Sequence, residues 1–249
     1  MSLVAICTPH GGTVEPEYYR RILEMQGQTL HHKFVHCEID MQIIGKARNV
    51  LIETARANKA DIAWFIDNDV LIPSNAGQLV DNALELGIVS GLYFSRRSPY
   101  TPQLYQKSDI EHTPGNPLYW PLLEYQDGLM VVDAVGGGCV AIRIDVFDKL
   151  NELHNSKQTK LEATYAQLKL LEPGIYEALS TQRQHLSPWF EFLDNKGEDL
   201  YFCERAKEAG LVIWANTSIK CDHLASIPIG EMQFKYMMES GYIKKVGEV

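Results

Sequence analysis

The chain has 249 residues, of which 45% are hydrophobic and 22% charged, with a formal net charge of −9 and a pI of about 5.4. This length suffices for one large domain or two small ones with a real core, and the composition is that of a soluble globular protein. The acidic balance argues against broad binding to nucleic acid or to anionic membranes. An anionic small substrate remains compatible with it, because a bound cation inverts the local field.

The cysteines and the apolar stretches indicate a cytoplasmic protein. Five widely spaced cysteines without a CxxC pair are typical of reduced thiols in the cytosol. They are Cys7, Cys37, Cys139, Cys203 and Cys221. The chain enters an apolar run at 3–7 without the charged segment of a signal peptide. No apolar stretch approaches the roughly 18 residues of a membrane span, so we expect no transmembrane segment.

Up to residue 94, short apolar runs typical of strands alternate with stretches of helical periodicity. The predicted strands are 3–7, 33–39, 61–66 and 88–94, and the predicted helices are 15–25, 45–58 and 73–86. The helix over 45–58 would bury Ala47, Val50, Leu51 and Ala55 on one face. This alternation predicts a parallel sheet covered by helices.

After residue 94 the pattern is less regular, and prolines separate short extended pieces. The predicted elements are strands at 129–135, 139–144, 211–215 and 218–221, and helices at 145–153, 197–209 and 230–240. The polar stretch 155–184 is predicted to be an insertion that covers a site or contacts a second copy in a homo-oligomer. We expect a single domain, 1–249, with a nucleotide-binding half over 1–94 and an acceptor half over 95–249.

The acidic motif Asp67-Asn68-Asp69 directly follows the predicted strand over 61–66. Ligands of open α/β sheets bind at the carboxyl ends of the strands. Two carboxylates at that place suit a divalent cation, and a cation suits a phosphorylated substrate. The alternative is an ordinary acidic turn, because Asp and Asn are common turn residues.

Four further motifs accompany the acidic one in a fixed order along the chain. They are Gly45-Lys46-Ala47-Arg48-Asn49, Gly136-Gly137-Gly138-Cys139-Val140-Ala141-Ile142-Arg143, Gly197-Glu198-Asp199-Leu200-Tyr201-Phe202-Cys203, and the late histidine of Lys220-Cys221-Asp222-His223-Leu224. Together with the acidic motif this set resembles the GT-A fold glycosyltransferases, particularly the family 2 branch. The resemblance spans about 3–223 and leaves 155–184 outside. It implies a Rossmann-like, mostly parallel α/β sheet flanked by helices.

The resemblance also implies a metal site. Asp69 would hold Mn²⁺ or Mg²⁺ against the donor diphosphate, with Asp67 near the metal or the ribose. His223 would complete the site, and Asp222 is the reserve candidate. A Lewis acid stabilises the charge that a nucleoside diphosphate gains as it leaves. The alternative for His223 is a hydrogen-bonded structural residue.

A nucleotide-binding set follows from the same resemblance, for a UDP- or GDP-linked sugar donor. Its members are Thr8, Pro9, Asp40, Arg48, Asp67 and Asn68. Thr8 and Pro9 would pack on the base and ribose, and Asp40 would pair with the uracil edge, a role that Glu38 could take instead. Arg48 would lie near the nucleotide sugar; the alternative is a solvated helix charge.

Transfer needs a carboxylate that removes the proton of the acceptor hydroxyl. By resemblance this general base is Asp199, in the Glu198-Asp199 pair, although acids in the first turn of a helix also complement its dipole. Gly137 and Gly138 would let the backbone approach the donor sugar or would form a tight turn. Trp189 would stack on an acceptor sugar or belong to the core.

Three other functions compete with a metal-dependent, inverting glycosyltransferase that acts on an unknown hydroxyl acceptor. Haloacid dehalogenase-like phosphohydrolases also place Asp-x-Asp after an apolar strand, but that strand usually comes first in the chain. A nucleotidyltransferase would need a Gly-rich loop that ends in Arg or Lys after the first strand, and the loop at 10–13 has neither residue. The third alternative is a catalytically inactive protein that binds sugar nucleotides.

Overall fold

Twelve strands and seven helices follow one another in the described part of the chain. The computed structural model describes residues 1–41, 43–113, 116–180, 186–193, 196–225 and 230–241. In chain order the elements are β1 (Leu3–His10), α1 (Pro16–Gln28), β2 (Lys33–Asp40), α2 (Ile44–Ala57), β3 (Ile62–Ile66), β4 (Val70–Leu71), α3 (Gln78–Leu86), β5 (Ile88–Leu92), β6 (Leu104–Thr113), β7 (Asn116–Pro121), β8 (Leu129–Val132), β9 (Ala134–Val135), β10 (Cys139–Arg143), α4 (Ile144–Leu171), α5 (Pro173–Ser180), α6 (Glu198–Glu208), β11 (Ile213–Lys220), β12 (Asp222–His223) and α7 (Glu231–Glu239).

Seven of these strands form a central sheet in the order β2-β1-β3-β10-β5-β11-β8. Five of them run in one direction, while β10 and β8 are antiparallel to their neighbours. The prediction of a mainly parallel α/β sheet is therefore confirmed. The antiparallel β10 lies between β3 and β5, and its first four residues are buried, as expected for a strand covered on both faces.

Helices cover both faces of the sheet, because each helix has one apolar face to bury. One buried cluster contains side chains of α2, α4 and α6, and the other contains side chains of α1 and α3. On α2 the buried face includes Ala47, Leu51, Ile52 and Ala55. The prediction that Val50 belongs to this face is wrong, because Val50 is 42% exposed and Ile52 is buried instead.

The strand boundaries in the second half differ from the sequence prediction in two places. The stretch 129–135 is two strands in different sheets, since β8 joins the central sheet and β9 joins β6 and β7 in a second, three-stranded sheet. The predicted strands 211–215 and 218–221 are the single strand β11, which contains an irregularity between Asn216 and Lys220. The proline-rich stretch forms the β6–β7 pair.

Helix α4 is much longer than the predicted helix over 145–153. It runs for 28 residues, from Ile144 to Leu171, because no Gly or Pro interrupts the sequence before Pro173. Val146, Phe147 and Leu150 in its first turns are buried, whereas Leu171 at its end is 78% exposed. The predicted insertion 155–184 is thus largely helical over 155–180, and 181–184 lies outside the described residues.

All five cysteines are buried and free, as the spacing predicts. Among the described residues, no helix combines the length and the apolarity that crossing a bilayer requires.

Candidate active site

The acidic motif and the late histidine lie side by side at one edge of the central sheet, the edge at which the parallel strands have their carboxyl ends. The motif follows β3, and the short strand β4 that comes next pairs with β12, placing His223 opposite Val70. The backbone N–H of Leu224 donates to the carbonyl of Asp69 over 2.7 Å and locks this register. The topology therefore joins two segments that are about 150 residues apart in sequence.

Asp69 and His223 form a charged cluster with Arg96. Asp69 Oδ2 lies 3.3 Å from His223 Nε2 and 2.5 Å from Arg96 Nη1. Burial alone would raise the pKa of Asp69, but His223 and Arg96 outweigh it and lower the pKa. Burial would lower the pKa of His223, yet the hydrogen bond and charge of Asp69 raise it. The cluster therefore stabilises an ionised carboxylate at this edge of the sheet.

The orientation of His223 suits a metal ligand once Nε2 has lost its proton. Its Nδ1 lies 2.7 Å from the carbonyl oxygen of Phe94, so Nδ1 carries the proton and Nε2 faces Asp69. Metal-binding histidines are commonly oriented in this way, by a hydrogen bond from the other ring nitrogen. A carboxylate oxygen and an imidazole nitrogen form a donor pair that a divalent ion such as Mn²⁺ accepts. The Arg96 side chain is 54% exposed and forms its ion pair with the Asp69 carboxylate from the solvent side.

Asp222, the reserve ligand, lies next to another part of the chain. Residues adjacent in a strand point to opposite sides, so Asp222 and His223 diverge. A Cβ built on Gly230 would lie 2.5 Å from Asp222 Oδ1, which places this carboxylate against the start of α7. Asp222 is therefore not beside Asp69.

Arg48 is buried beneath the acidic motif. Its Nη2 donates to Asp67 Oδ1 and Oδ2 over 2.9 and 3.2 Å, and its Nε donates to Glu198 Oε1 over 3.2 Å. The guanidinium carbon lies 5.3 Å from the ring centre of Phe65 and 6.0 Å from that of Phe190. The alternative of a solvated helix charge is wrong, because the Arg48 side chain is 2% exposed.

This burial changes what Arg48 and Asp67 can do. Burial would lower the pKa of Arg48, but the charges of Asp67 and Glu198 outweigh it and raise the pKa. Burial raises the pKa of Asp67, and Arg48 only partly opposes that increase. Since both Asp67 oxygens accept hydrogen bonds from Arg48, this carboxylate differs from Asp69, which faces His223. Arg48 therefore acts on the candidate site indirectly, by holding the carboxylates of Asp67 and Glu198 in place.

Gly137 and Gly138 are required by close packing, a reason that the sequence analysis did not foresee. A Cβ on Gly137 would lie 2.7 Å from Arg48 Nη2, and one on Gly138 would lie 2.8 Å from Cζ of Tyr93. The backbone N–H of Gly138 donates to the Tyr93 hydroxyl, and its carbonyl accepts from the N–H of Asp67. Because these two residues have no side chain, their backbone can pack directly against Arg48 and Tyr93.

Asp199 lies in the first turn of α6, next to Glu198. Its Oδ1 accepts the backbone N–H of Leu200 over 2.8 Å, the helix-start interaction that the alternative interpretation predicts. Burial, followed by the charge of Glu198, raises the pKa of Asp199 from an ordinary value of 3.8 to about 6. A carboxylate with a pKa near neutrality also suits a general base.

Thr8 and Pro9 are not in a loop after β1, because the strand continues to His10 and pairs with β2 as far as Asp40. Thr8 is fully buried, and its Oγ1 lies 2.5 Å from the hydroxyl of Tyr18. The prediction of a loop at 8–9 is therefore wrong, and the contact of Thr8 and Pro9 with a nucleotide stays a prediction. Pro9 is buried as well.

The other predicted nucleotide ligands lie nearer the surface. Asp40 ends β2 and is exposed. Glu38 accepts the hydroxyl hydrogen of Tyr19 over 2.9 Å. Asn68 donates from Nδ2 to the carbonyl of Thr13 over 3.2 Å, which connects the acidic motif to the loop after β1.

Trp189 belongs to the core, as the second of its two interpretations predicts. It is 6% exposed, and its indole N–H donates to the carbonyl of Phe147. Its ring also packs against the ring of Phe147 and under the guanidinium of Arg56.

Sequence reasoning missed Arg96 and Tyr93. Both follow the carboxyl end of β5, which ends at Leu92. They therefore lie at the same edge of the sheet as the acidic motif. A charged residue just beyond a buried parallel strand is the signal that could have identified Arg96, since ligands bind at that edge.

Comparison with known proteins supports the fold alone. No family model and no curated protein matches the chain. Among solved structures, the chain is similar to the crystal structure of A197 from STIV, with a TM-score of 0.53 and 17% sequence identity over 90% of this chain and 86% of that chain. A similarity at this sequence identity shows a shared α/β architecture and carries no argument about function.

Arg48→Ala should destabilise the fold by about 3–5 kcal/mol, because it leaves Asp67 and Glu198 as buried carboxylates without their partner. The measurement is the free energy of unfolding in urea at pH 7. Lys157→Ala is the control, since Lys157 pairs with Glu208 at half-exposed positions and such pairs contribute at most about 1 kcal/mol. Equal losses in the two variants would contradict the role given to Arg48.

Asp199→Asn should stabilise the fold at pH 7 and leave it unchanged near pH 3. The folded chain holds the Asp199 proton up to about pH 6 and the unfolded chain only to 3.8, so ionisation lowers stability as pH rises between these values. The expected gain is about 2–3 kcal/mol above pH 6, read from unfolding curves at several pH values. Asp109→Asn, which removes a carboxylate at an exposed position, is the control and should change the free energy of unfolding by no more than about 0.5 kcal/mol at pH 7.

Proposed function

We propose that this protein is a metal-dependent glycosyltransferase of GT-A type that transfers a sugar from a UDP- or GDP-linked donor to an acceptor hydroxyl. The observation that carries the proposal is the pairing of Asp69 with His223 at 3.3 Å, at the carboxyl end of β3. The mainly parallel sheet and the order of the motifs support the same class. A cytoplasmic location, as the reduced cysteines suggest, belongs to the proposal.

Asp69 and His223 would hold the cation, Mn²⁺ or Mg²⁺, beside the donor diphosphate. When bound, such a cation stabilises the negative charge of the departing nucleoside diphosphate. Asp67 has a different task, since Arg48 holds its carboxylate, and the resemblance assigns it to the ribose or the metal. Arg96 lies on the solvent side of Asp69, where a second positive charge suits a diphosphate.

Asp199 would act as the general base that removes the proton of the acceptor hydroxyl as its oxygen forms the new bond to the anomeric carbon. Because this attack comes from the side opposite the bond that breaks to the nucleoside diphosphate, the configuration would be inverted. Its raised pKa fits that role, because a base near neutrality can both accept and later release the proton. Glu198 is a positioning residue, since its carboxylate fixes Arg48 and thereby the start of α6.

Asp69→Asn should weaken Mn²⁺-dependent donor binding at least about tenfold, because the variant loses the anionic ligand of the cation. The measurement is titration calorimetry with UDP- and GDP-sugars, each with Mn²⁺ and again with excess chelator. Asp109→Asn, an exposed aspartate on β6, is the matched control and should bind as the parent does. Donor affinity that still depends on Mn²⁺ in Asp69→Asn would exclude Asp69 as the ligand.

Asp199→Asn should bind the donor normally and transfer sugar about 10²–10⁴ times more slowly. In the parent protein the transfer rate should rise as pH passes through about 6, where the base ionises, and then level off. Both are measured as nucleotide release with a panel of hydroxyl acceptors. Transfer that persists in the variant, with the same pH profile, would place the base elsewhere.

Turnover of simple phosphate esters without turnover of any nucleotide sugar would instead favour the phosphohydrolase alternative. In that mechanism Asp67 is the nucleophile, but here both of its oxygens accept hydrogen bonds from the buried Arg48. This contact is the specific observation that ranks the glycosyltransferase first.

A further inference from the structure

Two histidines in the connection between α1 and β2 converge with an aspartate of α3 at a second place in the fold. His31 Nε2 lies 3.1 Å from Asp81 Oδ1, and His32 Nε2 lies 3.0 Å from the same oxygen. One ligand atom of each residue falls within 4.8 Å of the others. The two imidazole rings are in contact, with 4.2 Å between their centres.

The fold holds these side chains together through a close backbone contact. A Cβ on Gly77, just before α3, would lie 2.1 Å from Thr29 Oγ1, so the turn after α1 presses directly on the start of α3. Thr29 Oγ1 in turn donates to the carbonyl of Met25 over 2.9 Å. Asp81, in the first turn of α3, is thereby fixed opposite the two histidines.

The separations match the coordination sphere of a transition metal. Zinc binds histidine nitrogen and carboxylate oxygen at about 2.0–2.2 Å, so neighbouring ligand atoms in a tetrahedral site are roughly 3.3 Å apart. The two nitrogen–oxygen distances of 3.0 and 3.1 Å are close to that value. Two imidazoles and one carboxylate favour Zn²⁺, Co²⁺ or Ni²⁺ over Mg²⁺, which prefers oxygen ligands.

The cluster also leaves room for a further ligand. A cavity of about 150 Å³ adjoins it, lined among others by His31, Asp81, Ser74 and Gln78. A water molecule there could occupy the remaining coordination position, as in zinc sites with three protein ligands. His32 is 4% exposed in its side chain, and its Nδ1 has no hydrogen-bond partner in the described part of the chain. Without that outer contact the affinity should be moderate.

We propose that His31, His32 and Asp81 form a binding site for a divalent transition metal that fastens the turn after α1 to α3. This site is chemically distinct from the Asp69–His223 pair, and it does not depend on the glycosyltransferase proposal. Since it joins two segments that are about 50 residues apart, the metal stabilises the folded chain only.

The test uses the full chain without an affinity tag, in an Asp69→Asn background that disables the other candidate site. Zn²⁺ is titrated by competition with a chromophoric chelator, and the melting temperature is measured with and without Zn²⁺. We expect one bound Zn²⁺ and a rise in melting temperature. His31→Ala and Asp81→Asn should each weaken Zn²⁺ binding at least about tenfold and remove the rise.

His36→Ala is the matched control, because His36 is an exposed histidine on β2 outside the cluster. It should bind Zn²⁺ as the background does. His31 and Asp81 are 60% and 48% exposed, so their replacement leaves the core intact, which circular dichroism checks. The absence of Zn²⁺ binding in the background, or equal affinity in His31→Ala, Asp81→Asn and His36→Ala, would overturn the proposal.

Discussion

The ion pairs of Arg48 organise the candidate active site. A guanidinium that is only 2% exposed is costly unless its charge is neutralised, and here Asp67 and Glu198 neutralise it and accept hydrogen bonds from Nη2 and Nε. Its Nη1 has no hydrogen-bond partner among the described residues. These three residues come from α2, the end of β3 and the start of α6. One buried charge therefore fixes the relative positions of three elements at the edge where Asp69, His223 and Asp199 also lie.

The packing around Arg48 extends this constraint to the glycine-rich segment. Gly137 leaves space for the guanidinium, and Gly138 connects the backbone to Tyr93 and to the N–H of Asp67. Two acids separated by one residue thus have different environments. Asp67 belongs to a rigid buried network, whereas Asp69 faces a histidine and an exposed arginine. This asymmetry is the physical basis for giving the two carboxylates different roles.

The first half of the fold was predictable because its signals are local. Apolar runs and helical periodicity identify β1, α2 and β3, and the acidic motif and His223 stand out by their positions after strands. Features that depend on distant contacts could not be read in this way. Burial of Arg48, the inward position of Thr8 against Tyr18, and the choice of Ile52 over Val50 are set by tertiary packing. The separation of β8 from β9, and the position of β10, follow from topology that periodicity does not encode.

The position of β10 has a consequence for how the chain reaches this structure. Strands β3 and β5 belong to the first half, yet they do not pair with each other, because Cys139–Arg143 lies between them. A nascent chain that has completed only β5 therefore holds two open strand edges in the middle of its future sheet. The two halves that meet at residue 94 are therefore not separate folding units. Closure of the sheet waits for a contact of long sequence separation, which slows folding and leaves apolar edges exposed until it forms.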